Sequence, residues 1–206
     1  DPHDVTEAAG MMVKAAPDFA GCDNFEYDLI DIVRQAIAEK GRLVYKELVN
    51  AYNTSDTASL RSCSEALLQL ILMQDTLLST RPEFMVGRWL SQARSIGGTE
   101  EEKDWLEWNA RVQITTWGNR TASDTGGLHD YAHKEWSGLL ADFYYTRWKI
   151  WIDRLLSDPF GPDPALSIDY YSLEEPWTLL HNSYPPDACA SPVPTAIRIW
   201  NTVREF

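Results

Sequence analysis

The sequence predicts an all-α fold, a bundle of seven or eight helices formed as a single domain over residues 1–206. Three observations carry this. Apolar residues recur at three- and four-residue steps through most of the chain, and no segment alternates with period two. The periodic runs are also separated by short clusters of Pro, Gly, Asn, Ser and Asp, the residues that stop helices and start turns.

In chain order, residues 4–16 read as a short amphipathic helix ending at Pro17. Asp23 or Asn24 reads as the N-cap of a long helix. Its inner face is Phe25, Leu29, Ile32, Val33, Ala36, Ile37, Val44 and Leu48, opposite Asp28, Asp31, Arg34 and Glu39. Gly41 costs that helix about 1 kcal/mol, which a packed apolar face outweighs. Asn53-Thr-Ser-Asp is the turn, and Ser55 or Asp56 caps the next helix. That helix is apolar nearly all round from Leu67 to Leu72, which predicts a place inside the bundle. Arg81-Pro82 ends it, because the residue before proline avoids helical geometry.

A shorter helix carries Trp89 and Leu90 and stops at Gly97-Gly98. Thr99, with glutamate at 100, 101 and 102, predicts a capping box and acidic residues favoured by the helix dipole. The fifth helix runs from there to Trp117-Gly118. The sixth is expected from near Leu128 to Leu156, on an apolar stripe that includes Tyr131, Leu139, Phe143, Trp148 and Ile152. A helix from about Ile168 to His181 follows, with Pro176 as a kink, and Pro194 suits the first turn of the last one.

Composition narrows the function. An apolar fraction of 44% is ample for a core, and neither a low-complexity linker nor an internal repeat divides the chain. A net charge of −13 argues against nucleic acid and against anionic membrane surfaces as partners. No apolar run approaches the roughly 18 residues needed to span a bilayer. The chain starts at Asp1-Pro2 with neither Met nor a signal peptide, and is expected to be a piece of something longer. Cys22, Cys63 and Cys189 are far apart and lack metal-ligand spacing; with an odd number, one disulfide at most can form. Asn53-Thr-Ser and Asn119-Arg-Thr match the glycosylation sequon, a triplet common by chance.

Catalytic and metal chemistry finds little support. His129 and His133 lie four apart, as zinc ligands can, but the glutamate after the first His is missing and no third ligand stands out. Nothing resembles a nucleophile on a strained turn beside a base. No carboxylate pair is singled out for glycoside hydrolysis. No metal and no cofactor is called for.

What stands out is the stretch from Trp105 to Trp151, which holds six of the nine tryptophans. Asn109, Arg111, Asp130 and Lys134 are interleaved with them. Apolar sugar faces stack on indole, while Asp, Asn and Arg can pair with hydroxyls. Trp117, beside Gly118 at a helix end, is placed for such a contact, although on residue chemistry alone core packing is the stronger reading. Residue chemistry alone therefore leaves a non-catalytic helical carbohydrate-binding or protein-interaction module, or a structural buttress, as alternatives to an enzyme part.

The pattern Asn109-x-Arg111-x-Gln113-Ile114-Thr115-x-Trp117-Gly118, then Leu128-x-Asp130-Tyr131-Ala132-x-Lys134 and Gly138-Leu139-x-Ala141-x-x-Tyr144, resembles the C-terminal helical domain of the α-N-acetylglucosaminidases, glycoside hydrolase family 89. Tyr27-Asp28-Leu29-Ile30-Asp31-x-x-Arg34-Gln35 and Trp89-Leu90-x-Gln92-Ala93-Arg94 resemble it too. The likeness runs from about Tyr27 to Trp151 and fades after it. It implies the C-terminal part of a multidomain glycosidase with a (β/α)8 barrel that carries both catalytic glutamates and removes terminal α-linked N-acetylglucosamine with retention.

On that resemblance the chain has no catalytic residue of its own. It walls the sugar pocket with Trp117, Asp130 and Tyr131. Asn109, Arg111 and Lys134 stand behind them, Asn109 and Arg111 holding the loop from Gly118 to Gly127. The implied partners are a glycan ending in N-acetylglucosamine and the enzyme's own barrel. The implied location is extracytoplasmic: secreted, periplasmic or lysosomal. The loop at 119–127 is longer than the family pattern, and Trp136 stands where it has a smaller aliphatic residue, so that indole is expected to face a partner domain.

Overall fold

The computed structural model describes residues 2–122, 130, 132–159 and 161–206, which contain eight α-helices and no strand. Two antiparallel helices form the spine: α2 (Asp23–Asn53) and α3 (Thr57–Leu78), joined by a turn too short for any other arrangement. Asp56 is the cap of α3, its carboxylate accepting from the Ser59 amide at 3.1 Å. Ser55 instead takes a left-handed backbone, φ 57°. Asp23 is the first residue of α2 rather than its cap; its carboxylate is turned to Arg81, 2.7 Å away at the far end of α3. Gly41 is accommodated without a break.

Around the spine pack α1 (Pro2–Ala15) and the last helix, α8 (Pro192–Val203). Leu29, Ile37, Leu48, Leu60, Leu77 and Ile199 are almost entirely removed from water, each worth about 1.5–3 kcal/mol of hydrophobic stabilisation. A second cluster lies beyond the end of α3. There α4 (Val86–Ser95) and α5 (Glu100–Gln113) supply Val86, Leu90 and Ala110, joined by Ile114, Leu139, Phe143 and Trp177. Thr99 and Glu102 form the predicted capping box of α5.

The sixth helix departs from its expected start. Asp130 and residues 132–138 are turn and irregular chain, and helical geometry begins only at Leu139, with a π turn over Leu140–Tyr144 that runs into α6 (Tyr145–Ser157). The reason is a cap supplied from elsewhere. Asp75 on α3 accepts from the amides of Gly138 at 2.6 Å and Ala141 at 3.1 Å. Gly138, at φ 86°, makes the turn into that cap. Before it, Ser137 pairs its backbone with Phe84 and Val86 at 2.8 and 3.1 Å. A lone β-bridge thus replaces the turn of helix that the periodicity predicts. Trp148 and Trp151 pack against the main core, as expected.

The chain closes with α7 (Tyr170–Thr178), which contains Pro176 and is shorter at both ends than the sequence predicts, and α8. Trp136 is half-buried between both clusters, with its ring centre 6.0 Å from that of Trp89. Cys22, Cys63 and Cys189 are free thiols. No helix among the described residues is long and apolar enough to cross a membrane.

Candidate functional site

The end of α5 explains itself residue by residue. Ile114, Thr115 and Thr116 are β-branched and fit a helix poorly. Thr115 turns its hydroxyl back to the Arg111 carbonyl at 2.7 Å. The Trp117 amide donates to the Val112 carbonyl at 2.8 Å, closing the helix with Trp117 itself at φ 61°. This is a left-handed position that glycine usually takes at helix ends, and a bulky side chain there is strained. The indole is left 41% exposed.

The Thr115 carbonyl also accepts from the Asp130 amide at 2.6 Å, which brings the Asp130 turn to the Trp117 end of α5. Asp130 has a left-handed backbone as well, φ 54°, as does His133 at φ 46°. Its carboxylate is occupied. The Tyr144 hydroxyl donates to Oδ1, and Arg147 Nη1 donates to Oδ2 at 2.8 Å. Asp130 is thus anchored on both oxygens, by one donor from the π turn and one from α6, each oxygen keeping a further acceptor position. Burial and the adjoining Asp130 charge both push the Tyr144 hydroxyl upward, so Tyr144 stays a neutral donor. Tyr131, with Leu128 and His129, lies outside the described residues.

Arg111 is fully buried and reaches the other way. It grips Glu107 at 2.7 and 2.9 Å and the Asn182 carbonyl at 2.9 Å, and stacks on Trp177. Its partners among the described residues tie α5 to the 177–184 segment and do not include the 118–122 stretch it was expected to hold. Asn109 is half-buried on the same helix. Lys134 is exposed, its ammonium 5.4 Å from the Trp136 ring centre, and lines a mostly apolar cavity of about 480 Å³ between α2 and α3. The structure thus joins Trp117 and Asp130 through Thr115, while Arg111 and Lys134 face other neighbours.

Two residues absent from the sequence reading complete the Asp130 surroundings. Arg147 lies beneath Tyr170, whose ring centre is 5.1 Å from the guanidinium carbon. Glu174, 2% exposed, approaches the same Arg147 nitrogen to 3.2 Å. Asp130, Tyr144, Arg147 and Tyr170, together with Trp148 and Trp151, line a cavity of about 430 Å³. A signal existed: Glu174 falls at helical spacing between the apolar Tyr171 and Trp177, where a lone carboxylate needs a buried partner. Asp104, Glu107 and His181 also come within reach of one another, but Arg94 already bonds both carboxylates, at 2.6 and 2.8 Å.

By fold the chain is of the class of all-helical domains carried by glycoside hydrolases. It aligns over its whole length, with a TM-score of 0.91 and 34% identity, to a family 89 glycoside hydrolase from Clostridium perfringens solved with 2-acetamido-1,2-dideoxynojirmycin. It aligns equally to that bacterium's enzyme carrying two glutamate-to-glutamine changes, in complex with its substrate GlcNAc-alpha-1,4-galactose. The chain belongs to the alpha-N-acetylglucosaminidase (NAGLU) C-terminal domain family, whose model matches residues 1–202. It is also 33% identical over 202 residues to the human alpha-N-acetylglucosaminidase. It covers 24% of the bacterial chains and 26% of the human protein, about a quarter of their length.

Proposed function

We propose that the chain serves as the C-terminal helical domain of an α-N-acetylglucosaminidase, packed on a (β/α)8 catalytic barrel, and forms one wall of the pocket for a terminal α-linked N-acetylglucosamine. The enzyme hydrolyses with retention, using two carboxylic acids held by the barrel and no cofactor. The helical chain alone hydrolyses nothing, and the enzyme works outside the cytoplasm. Family membership and the activities named for the relatives support the reaction and the substrate class.

Trp117 carries the proposal. An indole that stays 41% exposed while its backbone sits at φ 61° is costly on both counts, and such strain collects at ligand-binding positions. In this reading Trp117 stacks on the sugar, and Asp130 and Tyr131 complete the wall. Asp130 does so by fixing its turn, since Tyr144 and Arg147 anchor its oxygens. Asn109, Arg111 and Lys134 support from behind.

The test is Trp117→Ala in the full-length enzyme acting on an aryl α-N-acetylglucosaminide. The expected loss in kcat/KM is at least about tenfold, or roughly 1.4 kcal/mol of transition-state stabilisation. Unchanged efficiency would sink the pocket-wall role. Millimolar or tighter binding of N-acetylglucosamine by the chain alone would point instead to an independent binding module.

A further inference from the structure

One guanidinium nitrogen faces two carboxylates inside this chain. Arg147 Nη1 donates to Asp130 at 2.8 Å and lies 3.2 Å from Glu174, where the direction is wrong for a hydrogen bond. Both Glu174 oxygens are buried and accept no hydrogen bond from any described residue. Native proteins rarely leave a buried carboxylate in that condition, because the charge loses its water without gaining donors.

Asp130 is the better served of the two, with a tyrosine hydroxyl and an arginine as donors. Its backbone is left-handed, a region that aspartate tolerates better than most residues but that its turn still has to hold against the favoured conformations. Among the described residues, two things hold it: the amide bond to Thr115 and the grip of Tyr144 and Arg147 on its side chain.

We infer that Arg147 is a positioning residue for the proposed sugar-pocket wall, holding the Asp130 turn against the Trp117 end of α5, and that Glu174 competes with Asp130 for it. The inference rests on the proposed function only where it calls this turn part of a wall.

The competition depends on the proton of Glu174. Burial pushes this carboxyl up to about 7; Arg147 opposes the rise and Asp130 adds to it. The other groups around it do not change this. Tyr144 and Tyr170 remain neutral hydroxyls, raised chiefly by their own burial. Asp142, from the π turn, accepts from Tyr184 at 2.5 Å. Arg111, on α5, is committed to Glu107, and Arg120, beyond the end of that helix, pairs with Asp169. Below about pH 7 Glu174 is neutral and Arg147 belongs to Asp130. Above it, the second charge draws Arg147 away and repels Asp130.

The amide of Asp130 reports this directly, because its N–H is the bond to Thr115. Hydrogen exchange at that amide is measured in the 206-residue chain at pH 5.5 and 7.5, and converted to protection factors to remove the intrinsic pH dependence. The expected protection is at least about fivefold greater at pH 5.5. In Glu174→Gln it is the same at both pH values. In Arg147→Gln it is low at both, and Arg147→Lys recovers part of it. Equal protection at the two pH values in the unaltered chain overturns the inference, and so does an undiminished pH dependence in Glu174→Gln. If the Arg147 variants do not fold, the Glu174→Gln comparison alone decides. No sugar is involved, so unchanged kcat/KM for Trp117→Ala defeats the pocket wall and leaves this competition standing, whereas pH-independent exchange defeats the competition whatever Trp117 does.

Discussion

Arg111 lies over the ring of Trp177, its guanidinium carbon 4.6 Å from the ring centre, with Tyr184 at 5.6 Å as a second aromatic neighbour. Its donors meanwhile close on Glu107 and Asn182. A planar, forked cation can stack and bond in-plane together; a lysine ammonium cannot. Arg111→Lys is therefore expected to cost about 3 kcal/mol, in the range found when one partner of a buried ion pair is compromised. Urea unfolding of the chain measures it, and a loss below about 1 kcal/mol would contradict this account of Arg111.

Gly87 matters to the same arrangement. A Cβ built on it would lie 2.2 Å from the Pro185 carbonyl oxygen and 2.6 Å from that of Tyr184. Both are backbone atoms and cannot swing aside as a side-chain tip can. The close approach seats the segment that brings Tyr184 to Arg111. Gly87→Ala is expected to destabilise by at least about 2 kcal/mol despite a gain in helix propensity of roughly 1 kcal/mol. A thermal midpoint equal to or above that of the unaltered chain would show that the segment moves freely.

Trp117 offers a separation of stability from function. Replacing a non-glycine residue by glycine at φ 61° removes strain of about 1 kcal/mol, close to the entropy that glycine adds to the unfolded chain. Because 41% of the residue is exposed, only part of its surface loses packing with it. Trp117→Gly is thus expected to leave stability within about 2 kcal/mol of the original in calorimetry while abolishing the stacking surface. A fall of 3 kcal/mol would instead mark Trp117 as core.

These residues show where sequence reading succeeds. Local periodicity and caps set most of the helices, because Thr99 with Glu102 and Asp56 with Ser59 act within four residues. The sixth helix was misplaced because its cap, Asp75, lies 63 residues before Gly138, and such a partner leaves no mark in the local pattern. The place of Trp117 just past the end of α5 is legible from its neighbour Gly118. Arg147 was not singled out, since an arginine inside an aromatic stripe also fits a solvated edge. Its connection to Asp130 and Glu174 depends on how α6, α7 and the Asp130 turn meet in space.

Glu174 gives the pH dependence its sign. The folded chain holds this proton up to about pH 7, whereas an unfolded glutamate releases it near 4.5. The stability it confers is fully present below 4.5 and is lost as the pH rises through about 7, an effect on the order of 2–3 kcal/mol. Asp75, raised mainly by burial against its backbone donors, acts in the same direction, so the unaltered chain carries both contributions. Glu174→Gln removes one of them. The fall in unfolding free energy between pH 5 and pH 8 should therefore shrink in that variant. If the two chains showed parallel stability curves across that interval, Glu174 would not be taking up its proton in the folded state.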